Sequence, residues 1–120
     1  MPLDPHNKGV DYVEFAAPDF GPIKAFYGAV FGWEFTDYGP DYCAFEDGRL
    51  AGGFRKGGPQ NGSTLVVLYA DDLEALEAAV TAAGGKVTEP IFSFPGGRRF
   101  HFTDPAGNAL AVWSLPAKEA

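Results

Sequence analysis

Between Ile23 and Phe31 the apolar residues recur at the spacing of one helix face, and the segments on either side alternate as strands do. Ile23, Phe26, Tyr27, Val30 and Phe31 fall at i, i+3, i+4, i+7 and i+8. Gly21-Pro22 opens the segment, where a missing proline N–H costs nothing. Asp19 is a candidate N-cap, and Gly32 supplies a left-handed stop. Trp33-Glu34-Phe35 then alternates. Upstream, residues 1–8 read as an irregular arm and residues 10–15 (VDYVEF) as a strand, with Val13 and Phe15 on one face and Tyr12 and Glu14 on the other. Downstream come a turn cluster at 37–40, a strand over 42–46, an Asp47-Gly48 hairpin signal of the two-residue type and a return strand over 49–55. Gly52-Gly53 in that strand permits a bulge or a close approach of another backbone.

The same order then repeats. Residues 56–63 (KGGPQNGS) form a polar, glycine-rich connector, followed by an apolar strand over 64–69. Asp72 and Glu74 resemble a capping box. Leu73, Leu76, Val80 and Ala83 give the next helix an inward stripe that ends at Gly84-Gly85. Short strands are predicted over 86–88, 99–103 and 109–114, with a loop over 92–97 that carries Phe92 and Phe94, and a turn at 104–108. Asp19 matches Asp72 and Gly32 matches Gly85 at one constant offset. Each half therefore reads as strand–helix–strand–strand–strand, a βαβββ module whose helix covers one sheet face and leaves the other bare. The predicted fold is α+β. Two such modules in tandem (about 9–56 and 64–114, linker 57–63, one domain over 1–120) make a concave mixed sheet or open barrel around a cleft.

Composition changes this picture in two ways. A net charge of −7 with no basic stripe excludes nucleic acid and anionic membrane as partners. Eleven Phe, five Tyr and two Trp exceed what so small a core usually requires, which leaves aromatic side chains for a ligand. No stretch reads as a signal peptide or a membrane span, and the single cysteine, Cys43, fits a reducing, cytoplasmic setting.

The pieces A-P-D before the first helix, A-F-Y-G-A-V-F-G-W-E-F at its end, A-D-D-L-E-A-L in the second half and F-T-D-P-A-G-N before the last strand together resemble the glyoxalase / bleomycin-resistance / extradiol dioxygenase superfamily, the vicinal oxygen chelate fold. The resemblance covers about residues 9–114 and is nearest to a short branch described as related to lactoylglutathione lyase. It implies a divalent metal held by His, Glu or Gln from the first and last strand of each module. Carried over, those positions are Tyr12, Gly52, Leu65 and Ala111. Gly, Leu and Ala have no side-chain donor, and a tyrosine is a poor ligand for a hard divalent ion. A two-residue slip keeps the strand face and brings Val10 or Glu14, Leu50 or Phe54, Ser63 or Val67, and Ala109 or Trp113 into play, among which only Glu14 is a strong ligand. The expectation is that the inherited metal is absent and that no cofactor is needed.

The inferred cleft residues are Tyr12, Glu14, Phe54, Leu65, Val67, Tyr69 and Trp113, with Phe94 on a loop over the mouth. An apolar, aromatic pocket with one or two polar anchors suits a small, partly aromatic organic molecule, sequestered as the resemblance to bleomycin-resistance proteins implies. The alternative is a lyase, isomerase or ring-cleavage dioxygenase that uses Zn, Ni, Mn or Fe. A third reading is metal-free acid–base catalysis by Glu14 or His101. Glu14 otherwise reads as a rim carboxylate paired with a base such as Arg99. Arg98 and Arg99 read as a solvated pair or as a clamp for a ligand acid group. Which face of its strand His101 occupies is open at this point. The family resemblance also implies a homodimer, with modules matched within or between chains.

Overall fold

In the computed structural model, which describes residue 8 and residues 10–117, the order is β1 (Tyr12–Ala17), α1 (Phe20–Phe31), β2 (Glu34–Asp37), β3 (Tyr42–Glu46), β4 (Ala51–Lys56), β5 (Val66–Tyr69), α2 (Leu73–Ala82), β6 (Lys86–Phe94), β7 (Gly97–Thr103) and β8 (Ala109–Ser114). The strands form two four-stranded sheets, β1-β4-β3-β2 and β5-β8-β7-β6, each with one parallel pair, and no closed barrel. The tandem βαβββ reading holds. Asp19 caps α1 through Gly21 N (3.2 Å) and Gly32 ends it at φ 71°. Asp72 caps α2 through Ala75 N, but Glu74 does not complete a capping box. Its carboxylate instead takes the guanidinium of Arg98. The left-handed stop of α2 is Gly84 (φ 97°), while its neighbour Gly85 lies against Phe26 and Val80, where a Cβ would come within 2.8 Å of both.

The core lies on one side of each sheet. The α1 stripe buries Ile23, Phe26 and Tyr27, and the α2 stripe buries Leu73 and Val80. Most of the aromatic surplus is spent here rather than on a ligand. Tyr27 stacks on Trp33 at 4.4 Å, and Trp33 stacks on Phe45 at 4.2 Å, joining α1 to β3. Phe26 and Phe31 meet Phe102 of the second module at about 6 Å. Cys43 is fully buried on the same side.

Four departures from the predicted elements matter. Residues 92–94 are not a loop: β6 runs on to Phe94 past Pro90, with register shifts between Val87 and Phe92, which an edge strand tolerates. Leu65 falls outside β5. The β3–β4 turn spans Asp47–Leu50, with the Asp47 carboxylate accepting from Arg49 N and Leu50 N. The fourth departure is the register of β4. Tyr12 pairs with Ala51, Val13 with Gly52, Glu14 with Gly53 and Phe15 with Phe54. Gly52 and Phe54 thus share the core face with Val13 and Phe15, not the bare face with Tyr12 and Glu14.

One buried polar cluster ties the modules together. The Asp104 carboxylate accepts from the backbone N–H groups of Ala106, Gly107 and Asn108, from the Tyr27 hydroxyl (2.8 Å) and from Asn108 Nδ2, which also donates to Ala16 C=O. Asn61 fastens the linker to the same turn through Gly107 C=O and Ala109 N. Burial, then the Asp104 charge, raises the Tyr27 phenol well above its ordinary 10.0. A raised folded-state value favours the neutral phenol, so its contribution is complete below pH 10.0 and is lost as the unfolded chain ionises above it. Urea midpoints are therefore expected to fall above that pH, and Tyr27→Phe to flatten the fall. An unchanged slope in the variant would count against it.

Candidate functional site

Each sheet keeps a face turned away from the helices, and alternation decides which side chains it carries. In the first module that face holds Tyr12, Glu14, Tyr42 and Arg55. Tyr12 is 45 % exposed. Its hydroxyl lies 2.6 Å from the Tyr42 hydroxyl, which donates to Glu14 Oε2 at 3.0 Å. The cation beside Glu14 is Arg55, with Nε at 3.9 Å, and not Arg99, which belongs to the other module. Gly53 is the reason the network forms: a Cβ there would sit 2.2 Å from the Tyr42 hydroxyl, so only glycine lets that ring lie flat across β4 toward β1. Burial, then the hydrogen bonds to Tyr12 and Glu14, raises the Tyr42 phenol above its ordinary range. No local signal at their own positions singles out Tyr42 and Arg55 in the sequence; they come from β3 and β4. The Gly-Gly pair was the one available signal.

In the second module the bare face is a cross-strand row. Register sets Phe92 beside Arg99, Arg99 beside Trp113 and Trp113 beside Tyr69; the next row is Glu89, His101, Ala111 and Val67. His101 therefore lies on the bare face, opposite the buried Phe100 and Phe102, with its ring stacked on Phe92 at 5.8 Å. Tyr69 meets Trp113 edge-on at 5.2 Å. Phe94 reaches the same face from the end of β6: a Cβ on Gly97 would come within 3.2 Å of the Phe94 ring and 3.1 Å of Trp113.

Three predicted ligand residues, Val67, Tyr69 and Trp113, line one pocket of about 430 Å³ with Phe31, Trp33, Leu68 and the Asp47–Arg49 turn. Glu14 and Arg55 border a separate space of about 290 Å³, and Tyr12 a third of about 350 Å³. Within one chain these residues do not share a cavity. Phe54 lines none of the three; it is fully buried in the core, because β4 runs one residue out of the predicted register. Leu65, ahead of β5, is 37 % exposed.

The family's metal can be tested on donor chemistry. Gly52 faces the core, and its place on the bare face is taken by Gly53 or Ala51. With Tyr12, Leu65 or Val67, and Ala109 or Ala111, the four strands offer one phenol and, through Glu14, one carboxylate that Tyr42 already engages. A catalytic divalent site takes about three protein ligands. Among the described residues no three His, Cys, Asp or Glu side chains converge. The residues present do not fit that metal.

Tandem βαβββ modules, each with one bare sheet face, define a class of two-module scaffolds. A family model described as the Glyoxalase/Bleomycin resistance protein/Dioxygenase superfamily matches residues 9–112, and the chain belongs to that superfamily. It is similar to the anthracycline biosynthesis protein DnrV of Streptomyces peucetius (33 % identity, 85 % of this chain and 45 % of that protein) and to the putative glyoxylase CFP32 of Mycobacterium bovis (28 %, 86 % and 44 %). The chain spans less than half the length of these curated relatives. Solved structures with the same fold include a glyoxalase/bleomycin resistance protein/dioxygenase family enzyme from Burkholderia phytofirmans (TM-score 0.77, 18 % identity, 88 % of this chain and 99 % of that one). A lactoylglutathione lyase from Agrobacterium tumefaciens is another (0.69, 21 %, 89 % and 93 %).

Proposed function

We propose that the chain binds a small, partly aromatic organic molecule against the bare face of its second module, without the family's divalent metal. The observation that carries this reading is the pocket bounded by Val67, Tyr69 and Trp113. Its volume falls in the range of small-molecule sites, and aromatic and aliphatic side chains share its walls with the charged Asp47 and Arg49. Three of the four positions that correspond to the family's metal ligands, Gly52, Leu65 and Ala111, meanwhile carry no side-chain donor. The DnrV relative is named for anthracycline biosynthesis, and anthracyclines carry planar fused rings, which fits the same reading.

The protein is expected to work as a homodimer, since Tyr12, Val67 and Tyr69 leave between 42 % and 48 % of their surface uncovered in the single chain. Light scattering then gives a mass near twice 12.8 kDa, and a value near 12.8 kDa removes the dimer.

Protein purified without chelator is expected to carry far less than one metal ion per chain by elemental analysis. Mass spectrometry of the denatured sample is expected to release an aromatic organic molecule. Stoichiometric Zn, Ni, Mn or Fe replaces this reading with the metal-dependent lyase, isomerase or dioxygenase.

A further inference from the structure

Arg98 and Arg99 are neighbours in β7, so their side chains leave opposite faces of the sheet. Arg98 turns toward α2, where two of its guanidinium nitrogens meet the Glu74 carboxylate. That pair neutralises its charge, although its Nε is buried without an acceptor among the described residues, as is that of Arg99. Arg99 turns to the bare face, and among the described residues no carboxylate lies within ion-pair distance of it. Its guanidinium carbon lies 5.4 Å from the centre of the Phe92 ring and 5.6 Å from that of Phe94. Its Nε is buried and has no acceptor among the described residues.

Ring faces attract a guanidinium and fix its orientation, while its N–H donors point outward in its own plane. A cation stacked on two rings is therefore oriented for an acceptor that the chain does not supply. The planar fork matches a carboxylate, which takes two parallel N–H bonds. Beyond Arg99 in the same row stand Trp113 and Tyr69, both of which also border the pocket. The net charge of −7 repels anions from the molecule as a whole, so a local arginine must supply any preference for one.

We propose that the ligand of this face is a planar aromatic acid. Its carboxylate lies at the edge of the Arg99 guanidinium, and its ring lies against Trp113 and Tyr69. The proposal rests on the reading of this face as a binding site, and adds the charge class of what binds.

Two probes with one ring system separate the claims: 2-naphthoate, which is anionic, and 2-naphthamide, which is neutral. In calorimetric titrations of the intact chain at low ionic strength, naphthoate is expected to bind about tenfold more tightly than the amide. Arg99→Gln is expected to bring naphthoate down to the affinity of the amide. Arg98→Gln, on the opposite face of the sheet, is expected to leave the ratio unchanged, and Arg49→Gln, at the cation that borders the pocket, to keep naphthoate the tighter-bound probe. Equal affinity of both probes for the unaltered protein overturns the acid class and leaves the binding reading in place. Failure of both to bind overturns the two together. A ratio that survives Arg99→Gln, or vanishes in Arg49→Gln, overturns the assignment to Arg99. Should Arg99→Gln not fold, the comparison on the unaltered protein still decides the charge class, and Arg49→Gln still tests the rival cation.

Discussion

Asp104→Ala is expected to cost about 3–5 kcal/mol of folding free energy, in the range seen when one member of a buried polar network is removed. Asp104 is 3 % exposed. Its two carboxylate oxygens serve five donors: three backbone N–H groups of its own turn, the Tyr27 hydroxyl from α1, and the Asn108 amide. Alanine leaves the Tyr27 hydroxyl and the Ala106 and Asn108 backbone N–H groups with no acceptor, while Gly107 N keeps the Asp104 carbonyl and Asn108 Nδ2 keeps Ala16 C=O; an unsatisfied buried group costs more than its hydrogen bond contributes. Asp104→Asn keeps one acceptor oxygen but turns an amide N–H₂ toward donors, so its loss should be intermediate. Tyr27→Phe removes one bond and should cost about 1–2 kcal/mol. Urea denaturation followed by tryptophan emission checks the series. A loss under about 1 kcal/mol for Asp104→Ala would mean that the turn reorganises and that the cluster does not join the modules.

Phe54→Ala is expected to cost about 3–5 kcal/mol as well, through a cavity rather than through orphaned donors. The ring is fully buried and lies 5.3 Å from Phe15, 5.6 Å from Tyr27 and 5.8 Å from Phe45, in the layer between β4 and α1. The neighbours are rings that cannot close over the gap without leaving their own contacts. This prediction also discriminates between the two faces of β4. Had Phe54 stood in the groove, its removal would weaken a ligand and spare the fold. With Phe54 in the core, stability drops while the ratio of naphthoate to naphthamide affinity in the folded variant stays the same. A mild stability loss with an altered ratio would return Phe54 to the groove.

The fate of Phe54 shows where the sequence could be read and where it could not. The α1 stripe, its Asp19 cap, its Gly32 stop and their repetition around α2 were all local signals, and local signals carry helices well. The faces of β1 were equally legible, because Val13 and Phe15 alternate cleanly with Tyr12 and Glu14. The face of β4 was not. Gly52 and Gly53 remove the alternation on which register arguments depend, and the turn before them allows either phase. Residues 92–97 read as a loop because of the Pro95-Gly96 turn, whereas β6 runs on to Phe94 as an edge strand that absorbs Pro90 and a bulge before that turn. Of the candidate site, Val67, Tyr69 and Trp113 stood on alternating or apolar strands and do share a pocket. The hydrogen bond from Tyr42 to Glu14 depends on strands distant in sequence, which no spacing along the chain records, and the rings beneath Arg99 depend on β6 running on to Phe94 to pair with β7.

Along β5, β7 and β8 the even-numbered side chains face the helices and the odd-numbered ones face away. Substitutions at the exposed odd positions of β5, Val67 and Tyr69, therefore change what this surface presents while leaving the interior packing alone. Such a scaffold can diversify its chemistry by drift without risking collapse, and members that share its shape need not share a ligand.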